Sequence, residues 1–292
     1  MDPATAIRLG FSASIWFLVF GLGVGATLQD ATYLFRRPRL LMASFLAMFV
    51  VVPLVVEALT ATFELNRAVR IALLVTAVSP VPPILPGKQL KVGGEAKHVY
   101  GLLVAASLSA IVLTPLEVSV LGWIAGRETG VSPLVIGKVV LVTVLAPLFV
   151  GLVVRSIWPA RAGAVATVVM RIGNILLMGT LLAVIVVAWP EFVSLVGNGT
   201  ILAIAAVIVA GLIAGHALGG PSRDGRSVLA LAASLRHPGV ALAVVNADFA
   251  GYKLASAAVV LYLLVGMIVT IPYVKWRTRL HVEASERPES RK

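Results

Sequence analysis

Long apolar runs, each of roughly twenty residues and divided by charged or Gly/Pro-containing stretches, set the pattern of this chain. With a rise of 1.5 Å per residue, such a run crosses a hydrocarbon layer of about 30 Å as a helix. The pattern predicts nine spans, at residues 7–28, 40–60, 68–87, 99–121, 133–157, 164–189, 199–218, 227–247 and 253–275. The first is longer than the apolar region of a signal peptide. It follows Met1-Asp2-Pro3 and no basic leader, so it reads as a retained helix. The stretch from Lys275 onward is short, charged and aperiodic, and is expected to be a disordered tail.

Composition narrows this picture. Of the 292 residues, 59% are hydrophobic and 13% charged. A soluble domain carries about a quarter charged residues, so the soluble enzyme classes are excluded. The lack of cysteine excludes disulfides and thiolate metal sites. A formal net charge of +11 raises the question of nucleic acid, but the placement of the basic residues answers it. Arg36, Arg37, Arg39, Lys88, Lys91, Lys97, Arg155, Arg161, Arg223, Arg226 and the six basic residues of the C-terminal segment fall on one side of the nine-span arrangement. Only Arg8, Arg67, Arg70, Arg127, Lys138 and Lys253 fall on the other. The surplus is therefore positive-inside sorting. It orients the N-terminus outward and the C-terminus to the cytoplasm of a bacterial-type inner membrane.

Two spans are interrupted. In span 3 four prolines fall within Ser79-Pro80-Val81-Pro82-Pro83-Ile84-Leu85-Pro86-Gly87-Lys88-Gln89. Clustered prolines remove amide donors and clash with the preceding turn, so no continuous helix runs through the tract. Irregular backbone at membrane depth survives where it is buried in protein or lines a cavity. Span 8 is interrupted at Ser234-Leu235-Arg236-His237-Pro238-Gly239, about 14 Å into the span. Five spans separate the two breaks, and an odd offset gives the halves opposite orientation. The expected fold class is thus an all-α membrane protein with nine transmembrane helices, built as an inverted repeat of 4 + 5 spans with two discontinuous crossing helices. The halves are 1–127 and 128–275, with 276–292 as a cytosolic tail. Such paired breaks point to the binding site of a secondary transporter.

With these features the chain resembles the bile acid:sodium symporter family. The residues carrying the resemblance are the Pro-led tract of span 3 and the second break followed by Gly239-Val240-Ala241-Leu242-Ala243, within a nine-span chain. The resemblance implies a core domain of spans 2–4 and 7–9, a panel domain of spans 1, 5 and 6, and organic anions bound between them. Sodium-coupled members carry an acidic residue before the second break and a glutamine within it, at positions matching Ala232 and Arg236. Their Ser-Asn pair in the first break matches Leu85 and Pro86. A hard cation wants oxygen ligands, so a guanidinium in place of these groups argues against sodium coupling. No Asp or Glu is expected near a span centre. No cofactor is expected, sodium being the one ion the family would supply.

Arg236 is the candidate that carries most chemistry. A midplane arginine is costly and faces a cavity or a partner. It is expected either to replace cation charge and offer a fork to a carboxylate or sulfonate, or to be satisfied by carbonyls freed at the breaks. The half-helix N-termini at the breaks are expected to favour the same anion. Ser234 and His237 flank Arg236. His237 is read either as a group that titrates during transport or as a neutral hydrogen-bonding residue. Lys88 and Gln89 either add positive and polar groups to the site or, for Lys88, snorkel to the interface. Ser107 and Ser109 of span 4 either face the break or serve helix contacts. Gly21-Leu22-Gly23-Val24-Gly25 and the Gly211/Gly215 pair read as close helix packing.

The four histidines are far apart and none forms a zinc motif, so an enzyme is not expected. The partners expected are a small organic anion and the lipid bilayer, with no nucleic acid. A transporter independent of sodium is the leading reading. A sodium-coupled symporter with altered ion sites and a transport-inactive sensor or scaffold stand as alternatives.

Overall fold

The computed structural model describes residues 3–124, 131–249 and 251–286, and among them every regular element is helical. Helix α1 (Pro3–Gly25) is followed by α2 (Leu28–Thr32), which opens on a capping box. The Thr27 hydroxyl accepts the Asp30 N–H and the Asp30 carboxylate accepts the Thr27 N–H. A 3-10 turn (Tyr33–Arg36) leads into a long rod made of α3 (Pro38–Phe45), a π-helical segment (Leu46–Val51) and α4 (Val52–Thr62).

The next predicted span is the one that is not a rod. Helix α5 (Arg67–Ala77), capped by the Asn66 side chain, stops at the proline tract, and α6 (Pro86–Lys91) restarts with Pro86 in its first turn. Proline suits that position because its missing N–H has no intrahelical partner there. Helix α7 (Ala96–Ile124) runs on past Pro115. A second rod then repeats the plan of the first, with α8 (Pro133–Val140), a π segment (Leu141–Leu145) and α9 (Ala146–Ile157). Helices α10 (Ala162–Val187), α11 (Trp189–Leu195) and α12 (Thr200–Leu218) follow. Helices α13 (Arg223–Ser234) and α14 (Pro238–Asp248) are the halves of the second broken span, and α15 (Lys253–Val269) and α16 (Ile271–Glu286) end the described chain.

Eight helical stretches among the described residues are long and apolar enough to cross a membrane. The run predicted at 68–87 is not among them, because its helical pieces have 11 and 6 residues. The expected boundary between halves at 127/128 lies outside the described residues, as do Arg127, Arg287, Arg291 and Lys292.

Small residues set the close contacts, as the glycine spacings predict. The backbone of Gly23 lies against the Leu148 carbonyl, and Gly151 against Phe20 and Val24, which joins α1 to α9. Gly211 and Gly215 bring α12 onto α13, where a Cβ at Gly211 would come within 2.5 Å of the Ala233 carbonyl. Helix α13 is consequently enclosed, with residues 227–234 all buried. Ile175, Met178, Leu182 and Val186 of α10, by contrast, face outward, as a lipid-facing stripe requires.

The expectation of a disordered tail from Lys275 is corrected. Helix α16 runs to Glu286, and Arg277 is buried: its Nε donates to the Ser227 hydroxyl at 2.6 Å and a terminal nitrogen to the Arg223 carbonyl at 2.6 Å. Tyr273 adds a hydrogen bond to His216 at 2.8 Å. Charge alone suggested solvent, but these partners hold the segment against α12 and α13.

Candidate functional site

The site follows from what the prolines take away. Pro82 and Pro83 have no N–H for the carbonyls of Val78 and Ser79, which lie four residues before them. Buried carbonyls are nearly always paired, and here the donors come from other elements. The Thr114 hydroxyl of α7 donates to Val78 at 2.7 Å, and one terminal nitrogen of Arg236 donates to Ser79 at 3.3 Å. The Pro80 carbonyl accepts the His237 N–H at 2.8 Å. The two breaks are therefore joined backbone to backbone.

The second break obeys the same rule. Pro238 has no N–H for the carbonyl of Ser234, and the Tyr262 hydroxyl of α15 donates there at 3.0 Å. Ser234 itself turns its hydroxyl back to Leu231 at 3.0 Å.

The π segment of the first rod supplies the other acceptor for Arg236. In an α-helix the Met48 carbonyl would take the Val52 N–H, but the π shift gives that N–H to Ala47. The next residue, Pro53, has no N–H. The orphaned Met48 carbonyl takes the second terminal nitrogen of Arg236 at 2.6 Å. Arg236 is 2% exposed and spans two backbone carbonyls, while its Nε is buried without a partner.

His237 caps α14. Its Nδ1 accepts the N–H groups of Gly239 at 3.1 Å and Val240 at 3.4 Å. That leaves the ring proton on Nε2, which lies 3.2 Å from the Thr143 hydroxyl in the second π segment. The Thr143 hydroxyl in turn donates a hydrogen bond to the Val139 carbonyl at 2.7 Å. Consecutive residues of one break thus touch the π segments of two different rods.

The other sequence-predicted residues fall in two groups. Ser79, Pro80, Pro82, Pro83 and Pro86 are buried around the first break and Pro238 at the second, with Gly87 and Gly239 half-buried. Gln89 is buried but braces α13, its Nε2 donating to the Val228 carbonyl at 2.8 Å. Lys88 is half-buried, and Arg236 donates both its hydrogen bonds to backbone carbonyls elsewhere. Ser107 is buried with an unpartnered hydroxyl, and Ser109 is half-buried.

One expectation is corrected. The N-terminus of α14 is not open to an anion, because His237 already occupies its first N–H groups. Glu117 of α7 has one carboxylate oxygen buried without a hydrogen-bond partner. Counting residues along α7 places Glu117 toward a span end but says nothing of its lateral neighbours. Composition gave no sign of Met48, Thr114, Thr143 or Tyr262. The rule that a proline orphans the carbonyl four residues earlier would have located the carbonyls that Thr114 and Tyr262 serve.

Beside the first break lies a cavity of about 640 Å³ between α5, α7 and α14. Val75, Val78, Val118 and Val244 form apolar wall, and Arg67, Arg70 and Asp248 are its charged residues.

Apolar spans enclosing two proline-restarted helices, with the breaks hydrogen-bonded to each other, define a multi-span membrane protein of the secondary-transporter class. The chain belongs to the Sodium Bile acid symporter family, whose model matches residues 13–198. The match takes in the first break and both π segments and ends before Arg236. No individual curated protein matches the chain.

Proposed function

We propose that this protein moves a small organic anion, a carboxylate or a sulfonate, by alternating access and without sodium coupling. In this reading the eight long helices and the α5–α6 pair make nine spans in an inverted 4 + 5 repeat. Spans 2–4 and 7–9 form a core moving against a panel of spans 1, 5 and 6. The N-terminus is outside and the C-terminus in the cytoplasm of a bacterial-type inner membrane.

The observation that carries the proposal is the guanidinium of Arg236 spanning the Ser79 and Met48 carbonyls. Unwound carbonyls at a break are the usual ligands of a coupling cation. Here they already receive N–H donors from a cation attached to the chain. The fit for sodium is further weakened at Ala232, which is fully buried and has no oxygen in its side chain. Anion selectivity is supported by the same charge, and by Arg67 and Arg70 at a cavity whose walls suit an apolar skeleton. Arg236 Nε at the crossing and the Ser107 hydroxyl of α7 are among the buried polar atoms without partners, and in this reading they are open to a ligand. Ser109, Ser234, His237, Lys88 and Gln89 serve as the supporting polar shell in this reading.

Uptake of a carboxylate and sulfonate panel into proteoliposomes tests it. The expected result is saturable uptake of one or more anions at the same rate in sodium and in choline. Strong stimulation by an inward sodium gradient overturns the sodium-independent reading, and no saturable uptake of any anion overturns the substrate class.

A further inference from the structure

A second cavity, of about 820 Å³, lies away from the breaks at the arginine-rich end of the bundle. It sits where three long helical stretches begin or end: the entry to α3, the start of α7, and the turn from α12 into α13. Four cations line it, Arg36, Arg37, Arg39 and Lys97, against one carboxylate, Glu95. Glu95 is engaged by Lys97 at 3.0 Å. Arg37 and Lys97 both lie over the Tyr33 ring, at 4.9 and 5.5 Å from its centre, which fixes two positive groups on one aromatic platform.

Sorting of basic residues between loops explains why arginines are at this end, but it does not explain a cavity with a buried polar group in its wall. His98 lines the cavity, is 4% exposed, and its Nε2 is buried without a hydrogen-bond partner. The ring stands against Gly225 in the first turn of α13, where an added Cβ would come 3.5 Å from it. Ser222, the N-cap of α13, completes that side. A buried ring nitrogen with no protein partner calls for an explanation.

We propose that this cavity binds a phosphate-bearing group, with Arg36, Arg37 and Arg39 as forks for its oxygens, Lys97 as a point charge and the His98 ring in its inner wall. Planar guanidinium groups match phosphate oxygens in pairs. The volume is ample for a phosphate carrying a polyol. Basic pockets at span ends suit lipid headgroups, and the same chemistry is offered by a soluble phosphate ester. The site is independent of the broken-helix reading and shares no residue with it.

Thermal unfolding of the full-length protein in neutral detergent, at constant ionic strength, tests the proposal. The ligands are glycerol 3-phosphate, inorganic phosphate, short-chain phosphatidylglycerol and short-chain phosphatidylcholine. A saturable rise in midpoint with the first two identifies a soluble phosphate source, and a rise with phosphatidylglycerol alone identifies the lipid. In either case the Arg37→Gln/Arg39→Gln variant should need about tenfold more ligand. These side chains are exposed, so the variant keeps the fold. Arg161→Gln, a basic change outside the cavity, should behave as the unchanged protein. Equal shifts in the cavity variant and the unchanged protein overturn the site. So do equal shifts with phosphatidylcholine and phosphatidylglycerol, or no shift with any ligand.

Discussion

The two breaks differ in the direction of their hydrogen bonds. Residues 78–85 are rich in proline and present acceptors: Val78, Ser79 and Pro80 each offer a carbonyl that no local N–H meets. Residues 235–237 are short and present donors, the Arg236 guanidinium and the His237 N–H. One break lacks what the other supplies. A membrane interior offers no water to make up a missing partner, so this complementarity is what allows two interrupted helices to meet in one bundle.

Removing the shared donor should have the largest effect. Arg236→Ala leaves the Ser79 and Met48 carbonyls unpaired, at about 1–3 kcal/mol each, and opens a hole as well. A marked fall in the unfolding midpoint and loss of uptake are expected. Arg236→Lys keeps the charge, but an ammonium lacks the fork that spans both acceptors, so its midpoint should lie between the two. A midpoint for Arg236→Ala equal to that of the unchanged protein would mean that water already serves these carbonyls.

Next in size is a matched pair of changes, one for each break. Tyr262→Phe orphans the Ser234 carbonyl and Thr114→Val orphans the Val78 carbonyl, each costing about 1–3 kcal/mol. Similar losses would place both breaks in equally dry surroundings. A loss confined to Tyr262→Phe would show that the first break lines a water-accessible path and sharpen the contrast between the two.

The smallest effect is expected from Thr143→Val, which removes the partner of His237 Nε2 but leaves the Nδ1 cap of α14 in place. A loss of about 1 kcal/mol, the low end for one orphaned buried donor, is expected in the same unfolding measurement. A loss as large as that of Arg236→Ala would move the weight of the crossing from the first rod to the second.

Eight of the nine predicted spans and both breaks were legible in the sequence, because apolar runs and prolines act through local rules. The family was legible on the same features, in the tract from Ser79 to Gln89 and the break before Gly239. The π segments were not. A shift of one hydrogen bond leaves the apolar pattern of Leu46–Val51 unchanged, and a backbone carbonyl such as that of Met48 has no identity in a sequence. Helix α16 was missed because the burial of Arg277 depends on Ser227 and the Arg223 carbonyl, fifty or more residues away in sequence.

The Arg236 bridge has a consequence for the dependence of this protein on its surroundings. An ion held by carbonyls stabilises a fold in proportion to the logarithm of its free concentration, and its site empties on dilution. A guanidinium attached to the chain has an occupancy of one at every salt concentration. The closure of the two breaks on each other should therefore be as firm in dilute buffer as in brine, its positive charge installed once, at synthesis.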